Sequence, residues 1–103
     1  MNVKFNIPEY GVTQINKALK EVIEDNFSYV RVKGEISEIR EATKGQIYLT
    51  LKDETSILSA VVWEQKKRSL TFEPEIGMEV ILTGRITTWS KFKTTYQLDV
   101  DKV

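Results

Sequence analysis

Five stretches of this chain alternate apolar and polar residues with a period of two, and that patterning restricts the fold more than any other feature. Val30, Val32, Gly34 and Ile36 alternate with Arg31, Lys33, Glu35 and Ser37. Ile47, Leu49 and Leu51 alternate with Tyr48, Thr50 and Lys52. After the polar connection 53–56, Leu58, Ala60 and Val62 point one way and Ser59, Val61 and Trp63 the other. Val80, Leu82, Gly84 and Ile86 make a fourth inward set, and Tyr96, Leu98 and Val100 a fifth. Each predicts a strand with one face on a core and one facing outward. Gly34, inside the first strand, predicts a bulge or a sharp coil that bends the strand around a corner.

Ahead of the strands, Ile15, Ala18, Leu19, Val22 and Ile23 recur at spacings of three and four, the mark of an amphipathic helix. Thr13 is the expected N-cap, and the helix should end near Asp25-Asn26. Residues 64–69 have helix-forming composition but cover barely two turns, and Pro74 and Gly77 punctuate the approach to the fourth strand. A loop from Trp89 to Thr94 leads to the fifth. Five strands, a short helix between the third and fourth and a helix in front predict a mainly β, five-stranded OB-fold Greek-key barrel. It should be a single domain over 1–103, with 1–28 as N-terminal segment and helix and 29–103 as barrel.

Composition narrows the function. The chain has no histidine and no cysteine, which removes the commonest general base and metal ligand together with disulfides and zinc–thiolate sites. Paired carboxylates, Asp53-Glu54 in a turn and Asp99 with Asp101 on one strand face, lack a third converging ligand. No catalytic residue, metal or cofactor is expected. Formal net charge is zero, but the signs are segregated: Arg85, Lys91 and Lys93 lie in a stretch free of acids, and Lys66-Lys67-Arg68 form a second basic cluster. Apolar runs such as 60–63 are too short to cross a bilayer, and the start of the chain lacks a secretion-signal pattern, so neither a membrane partner nor a secretion signal is expected.

OB barrels bind single strands on the face of their second and third strands, flanked by the loops joining strands one to two and four to five. On that geometry Tyr48, Thr50 and Trp63 face outward, with Tyr48 and Trp63 as stacking platforms. Arg40 and Lys44 in the first loop would contact phosphates. Trp89, Lys91, Phe92 and Lys93 interleave aromatics and cations in the second. Each has a plainer reading. Trp63 fits packing on the short helix it precedes equally well, a lysine-bearing hairpin tip discourages edge-to-edge pairing, and 66–68 read as a solvated helix face except for Arg68.

Read together, 32–37 (VKGEIS) and 45–53 (GQIYLTLKD), followed by 72–77 (FEPEIG), 80–86 and 96–98, resemble the N-terminal domain of the exodeoxyribonuclease VII large subunit. The opening 12–16 and its helix fit as well, so the resemblance covers nearly the whole chain. Leu51-Lys52-Asp53 is also similar to the anticodon-binding OB domains of some aminoacyl-tRNA synthetases, where an aromatic at the place of Tyr48 stacks on a base. The resemblance implies a domain excised from a longer nuclease subunit. Such a domain grips single-stranded DNA for a catalytic domain of the same polypeptide, which assembles with a small subunit and degrades DNA in the cytoplasm. Glu64 stands where the family often has a basic residue, and the loop tip 91–93 is one residue longer than the family's. The competing reading is a protein-interaction module that docks subunits or the catalytic domain through the helix 15–23.

Overall fold

The computed structural model describes residues 6–91 and 93–102. Helix α1 spans Val12–Asn26, followed by strands β1 (Val30–Glu41), β2 (Ile47–Lys52) and β3 (Ile57–Val62). A 3-10 helix, Glu64–Ser69, precedes β4 (Glu79–Trp89) and β5 (Thr95–Lys102). The strands close into a barrel in the order β1-β2-β3-β5-β4. All neighbours pair antiparallel except β3 and β5, which run parallel through Ala60↔Leu98 and Val61↔Asp99. This is the OB architecture expected from the element order.

β1 is the strand that makes closure possible. Its first half, from Val30 to Glu35, pairs with β4, and its second half, from Glu35 to Glu41, pairs with β2. Gly34 stands at the handover, where an added Cβ would meet the Leu51 side chain and the Lys52 carbonyl at 3.2 Å. The glycine therefore permits the tight coil, but the register shift falls three residues later, between Ile36 and Glu38. Ser37 is the extra residue, and its hydroxyl donates to the Thr50 carbonyl at 3.2 Å. The bulge reverses the alternation. Arg31 and Lys33 face out before it, Glu38 and Arg40 after it, while Val30, Val32, Ile36 and Ile39 pack on the core.

The core gathers the predicted inward residues of all five strands, Ile36, Leu49, Ala60, Leu82 and Leu98 among them. Val61, expected on the outer face, is 0% exposed. Its position explains this: Tyr48 of β2 flanks it on one side and Asp99 of β5 on the other. Barrel closure also requires a glycine at position 84, where a Cβ would lie 1.9 Å from the Asp99 carbonyl oxygen. The β4–β5 register shifts between Thr83 and Gly84, at the same close approach.

The 3-10 helix is tied down by its own basic cluster. Lys66 pairs with Asp101 at 2.7 Å and Lys67 with Glu41 at 3.2 Å, and the Ser69 hydroxyl donates to the Asp101 carbonyl at 3.0 Å. Helix α1 starts two residues earlier than expected: Gly11, not Thr13, is the N-cap, and its N–H donates to the Gln14 side chain at 2.8 Å. The helix rests on β4. The Ile86 N–H donates to the Phe27 carbonyl at 3.0 Å, and the Thr88 N–H to Glu24 at 3.3 Å. Of its predicted apolar face, Ala18 and Ile23 are half-buried, while Ile15, Leu19 and Val22 remain exposed.

Candidate nucleic-acid interface

A groove of about 790 Å³ runs over the outer face of β1, β2, β3 and the start of β5. It is lined by Arg40, Tyr48, Thr50 and Lys93, four of the residues singled out from the sequence. The strand ladders explain the convergence. Arg40 lies opposite Tyr48 across β1–β2, and Thr50 lies opposite Ser59 across β2–β3. These cross-strand neighbours share a face because the Ser37 bulge has turned Arg40 outward.

Within the groove the Arg40 guanidinium sits 4.4 Å from the centroid of the Tyr48 ring. A cation held over an aromatic face is a favourable quadrupole contact, and it leaves the guanidinium plane and its donors presented to the groove. The Tyr48 hydroxyl accepts from Gln46 Nε2 at 3.4 Å, a long bond that holds the ring only loosely. Thr50 donates to Glu38 at 3.1 Å, so this carboxylate is the acid among the lining residues, set against the cations Arg40 and Lys93. Among the described residues no group of three or more acids is arranged to hold a metal ion.

The groove also includes a residue that the sequence pattern had assigned to the core. Tyr96 shares the side of β5 that carries Leu98 and Val100, yet it is 57% exposed and lines the groove. It is the second residue of β5, paired with Thr88 of β4 but two residues ahead of the Ala60↔Leu98 pairing that joins β5 to β3. Its proximity to the basic–aromatic loop 89–94 was the available signal.

The remaining candidates lie elsewhere. Trp63 lines a separate depression with Tyr29, Arg85 and Asp101. Trp89 ends β4, is 50% exposed, and lines a shallow site against Asn16 and Leu19 of α1. Lys44 is exposed in the turn 42–46, closed by a bond from Ala42 N–H to the Gln46 carbonyl at 2.8 Å. Arg68 is exposed on the 3-10 helix, and Lys91 is exposed in the β4–β5 loop. Phe92 lies outside the described residues.

Residues 10–103 match the family described as "OB-fold nucleic acid binding domain". The chain belongs to that family. Similar OB domains occur in proteins named exodeoxyribonuclease 7 large subunit. The one from Rhodospirillum centenum is 46% identical over 93% of this chain and 18% of its own length. Those from Zymomonas mobilis and Caulobacter vibrioides are 43% and 41% identical over 95% of this chain, and 18% and 19% of theirs. The chain therefore spans about a fifth of the length of these relatives. Among solved structures, an aspartyl-tRNA synthetase from Entamoeba histolytica overlays with a TM-score of 0.58 at 12% identity, covering 93% of this chain and 23% of that one. The asparaginyl-tRNA synthetase from Pyrococcus horikoshii gives 0.54 at 20% identity, covering 93% and 21%. These likenesses establish the OB fold. No helix among the described residues is long and apolar enough to cross a membrane.

Proposed function

We propose that this OB domain binds single-stranded DNA in the groove over β2 and β3, as the strand-gripping module of an exodeoxyribonuclease VII large subunit. The observation that carries the reading is the convergence of Arg40, Tyr48, Tyr96 and Lys93 on one open groove of an OB nucleic-acid-binding domain. Aromatic rings offer sequence-tolerant stacking to unpaired bases, and the cations track the backbone between them. Trp89 and the loop lysines Lys91 and Lys93 extend the same basic–aromatic character past the end of β4, with Phe92 between them in sequence.

The neutral net charge bounds the affinity. With roughly 3–5 phosphate contacts, binding should be weak and should fall with salt at a slope of about −0.7 per contact. In this reading the domain holds the strand and the bond-breaking groups lie in the portion of the relatives' length that this chain does not span. A catalytic domain of the same polypeptide, a small subunit and a cytoplasmic setting belong to the same proposal. A titration of oligo-dT by fluorescence anisotropy at two salt concentrations tests it. Salt-dependent binding that is lost in Tyr48→Ala supports it; salt-independent binding, or binding indifferent to Tyr48 and Arg40, rejects it.

A further inference from the structure

A second depression, larger than the groove above, lies elsewhere on the molecule. It is a concavity of about 890 Å³ on the outer face of β1 and β4, reaching Lys102 at the end of β5. Arg31, Lys33 and Lys102 line it, with Glu79 as the acid among the lining residues, so it is more basic than the β2–β3 groove.

Its cations are arranged in register. Lys102 pairs with Thr83, and Thr83 with Arg31, so the three stand side by side across β5, β4 and β1. Lys33 follows Arg31 on the same face, ~6.6 Å along the strand. Among the described residues neither Arg31 nor Lys102 forms an ion pair, and the Lys33–Glu79 pair is long, at 3.9 Å. Between the two flanking cations the Thr83 side chain is recessed into the concavity. This residue is only 7% exposed, yet its hydroxyl makes no hydrogen bond among the described residues. Buried hydroxyls without partners are uncommon in folded proteins, and one flanked by two cations is suited to an anionic oxygen. Beside the row, the Tyr29 ring is 62% exposed, and Phe72 forms part of the wall.

From this arrangement we infer a second single-strand contact site on the β1–β4 face. A phosphate sits on Thr83 between Arg31 and Lys102, the next reaches Lys33, and a base stacks on Tyr29. The chemistry selects a nucleic-acid strand over an acidic peptide because successive strand cations match successive phosphates and a bare aromatic ring lies alongside. Glu35 and Glu38 interrupt the positive charge along β1 between the two sites, so a strand would engage them as separate contacts. The inference rests on the proposed single-strand binding and extends it to strands longer than one groove accommodates.

The test measures anisotropy of the full chain with oligo-dT of about 6 and about 30 nucleotides, within and above the span of one OB site. The double variant Arg31→Glu/Lys102→Glu should bind the short strand within about twofold of the parent and the long strand roughly tenfold more weakly. Its salt slope on the long strand should be shallower by about 1.4, the loss of two contacts. Thr83→Val, which keeps the side-chain shape, should weaken only the long strand, by about threefold. Unchanged affinity and slope for the long strand in the double variant overturn the inference. So does a poly-glutamate peptide that binds the parent and loses binding in the double variant while the long strand does not. If Tyr48→Ala leaves the short strand unaffected but the double variant loses the long one, the groove reading fails and the β1–β4 site stands.

Discussion

The Arg40 guanidinium lies over the Tyr48 ring, 4.4 Å from its centroid and directly across the β1–β2 ladder. One face of that ring is therefore taken by a planar cation before any strand arrives. A base can stack on the outer side of the guanidinium or displace it and use the ring. In both cases the two side chains act together. Tyr48→Ala should weaken oligo-dT binding by roughly 1–3 kcal/mol, the usual cost of removing a stacking platform. Tyr48→Phe should bind within about twofold, because the hydroxyl contributes only a long bond to Gln46. Arg40→Lys keeps the charge but loses the planar stack, and should fall between them.

The groove and the outlying tryptophans separate in the same titration. Tyr96→Ala should reduce affinity about tenfold, which corresponds to roughly 1.4 kcal/mol and lies within the range for one base stack. Trp63→Phe, in a different depression, should leave it within about twofold. An equal loss from both would mean that the strand follows another path.

Gly84→Ala tests barrel closure. A methyl group 1.9 Å from the Asp99 carbonyl oxygen cannot be accommodated unless the β4–β5 ladder moves. The expected loss is about 3 kcal/mol or more, read as a fall in the urea midpoint. Gly34→Ala meets its neighbours at 3.2 Å and should be milder.

Acid should loosen the β2–β3 turn in a defined direction. Asp53 accepts from the N–H groups of Thr55 and Ser56 at 3.0 and 2.9 Å, and these bonds hold its carboxyl below its ordinary value of 3.8. A carboxyl lowered by folding stabilises the fold above its unfolded value, and that contribution disappears as pH falls through the folded one. The Asp53 carboxyl should titrate by NMR with a midpoint below 3.8. Asp53→Ala should be less stable than the parent at neutral pH, with the gap closing in strong acid.

Glu24 fastens α1 to the barrel, accepting from Lys20 at 2.7 Å and from the Thr88 N–H at 3.3 Å. The bond from Lys20 is the larger influence holding its carboxyl below the ordinary 4.5, and the Thr88 N–H adds to it. The Thr88 amide shift should follow that titration, with a midpoint below 4.5. Glu24→Ala should lower hydrogen-exchange protection at Thr88 more than at Ile86, whose partner is the Phe27 carbonyl.

Where alternation was regular, the sequence revealed the strands and most of the core. It failed where pairing between distant strands decided the outcome. Val61 reads as an outward residue because only the parallel β3–β5 pairing, formed by strands far apart in sequence, closes over it. Tyr96 reads as inward because alternation gives a side chain's direction but not where the barrel ends. The N-cap was misplaced by two residues because the helix starts at Gly11 without a hydroxyl cap, its own N–H taken up by the Gln14 side chain. Of the candidate site, residue types and loops were legible, whereas the separation of Trp63 from Tyr48 depends on the curl of the sheet.

Ser37 gives β1 its two-sided usefulness. Were that additional residue laid into a regular ladder instead of looped into a bulge, Arg40 and Glu38 would swing toward the oily interior whenever Arg31 and Lys33 pointed to water. Ironing that kink flat, with every residue kept, would turn half of the strand inside out even though no cation had been lost from the sequence.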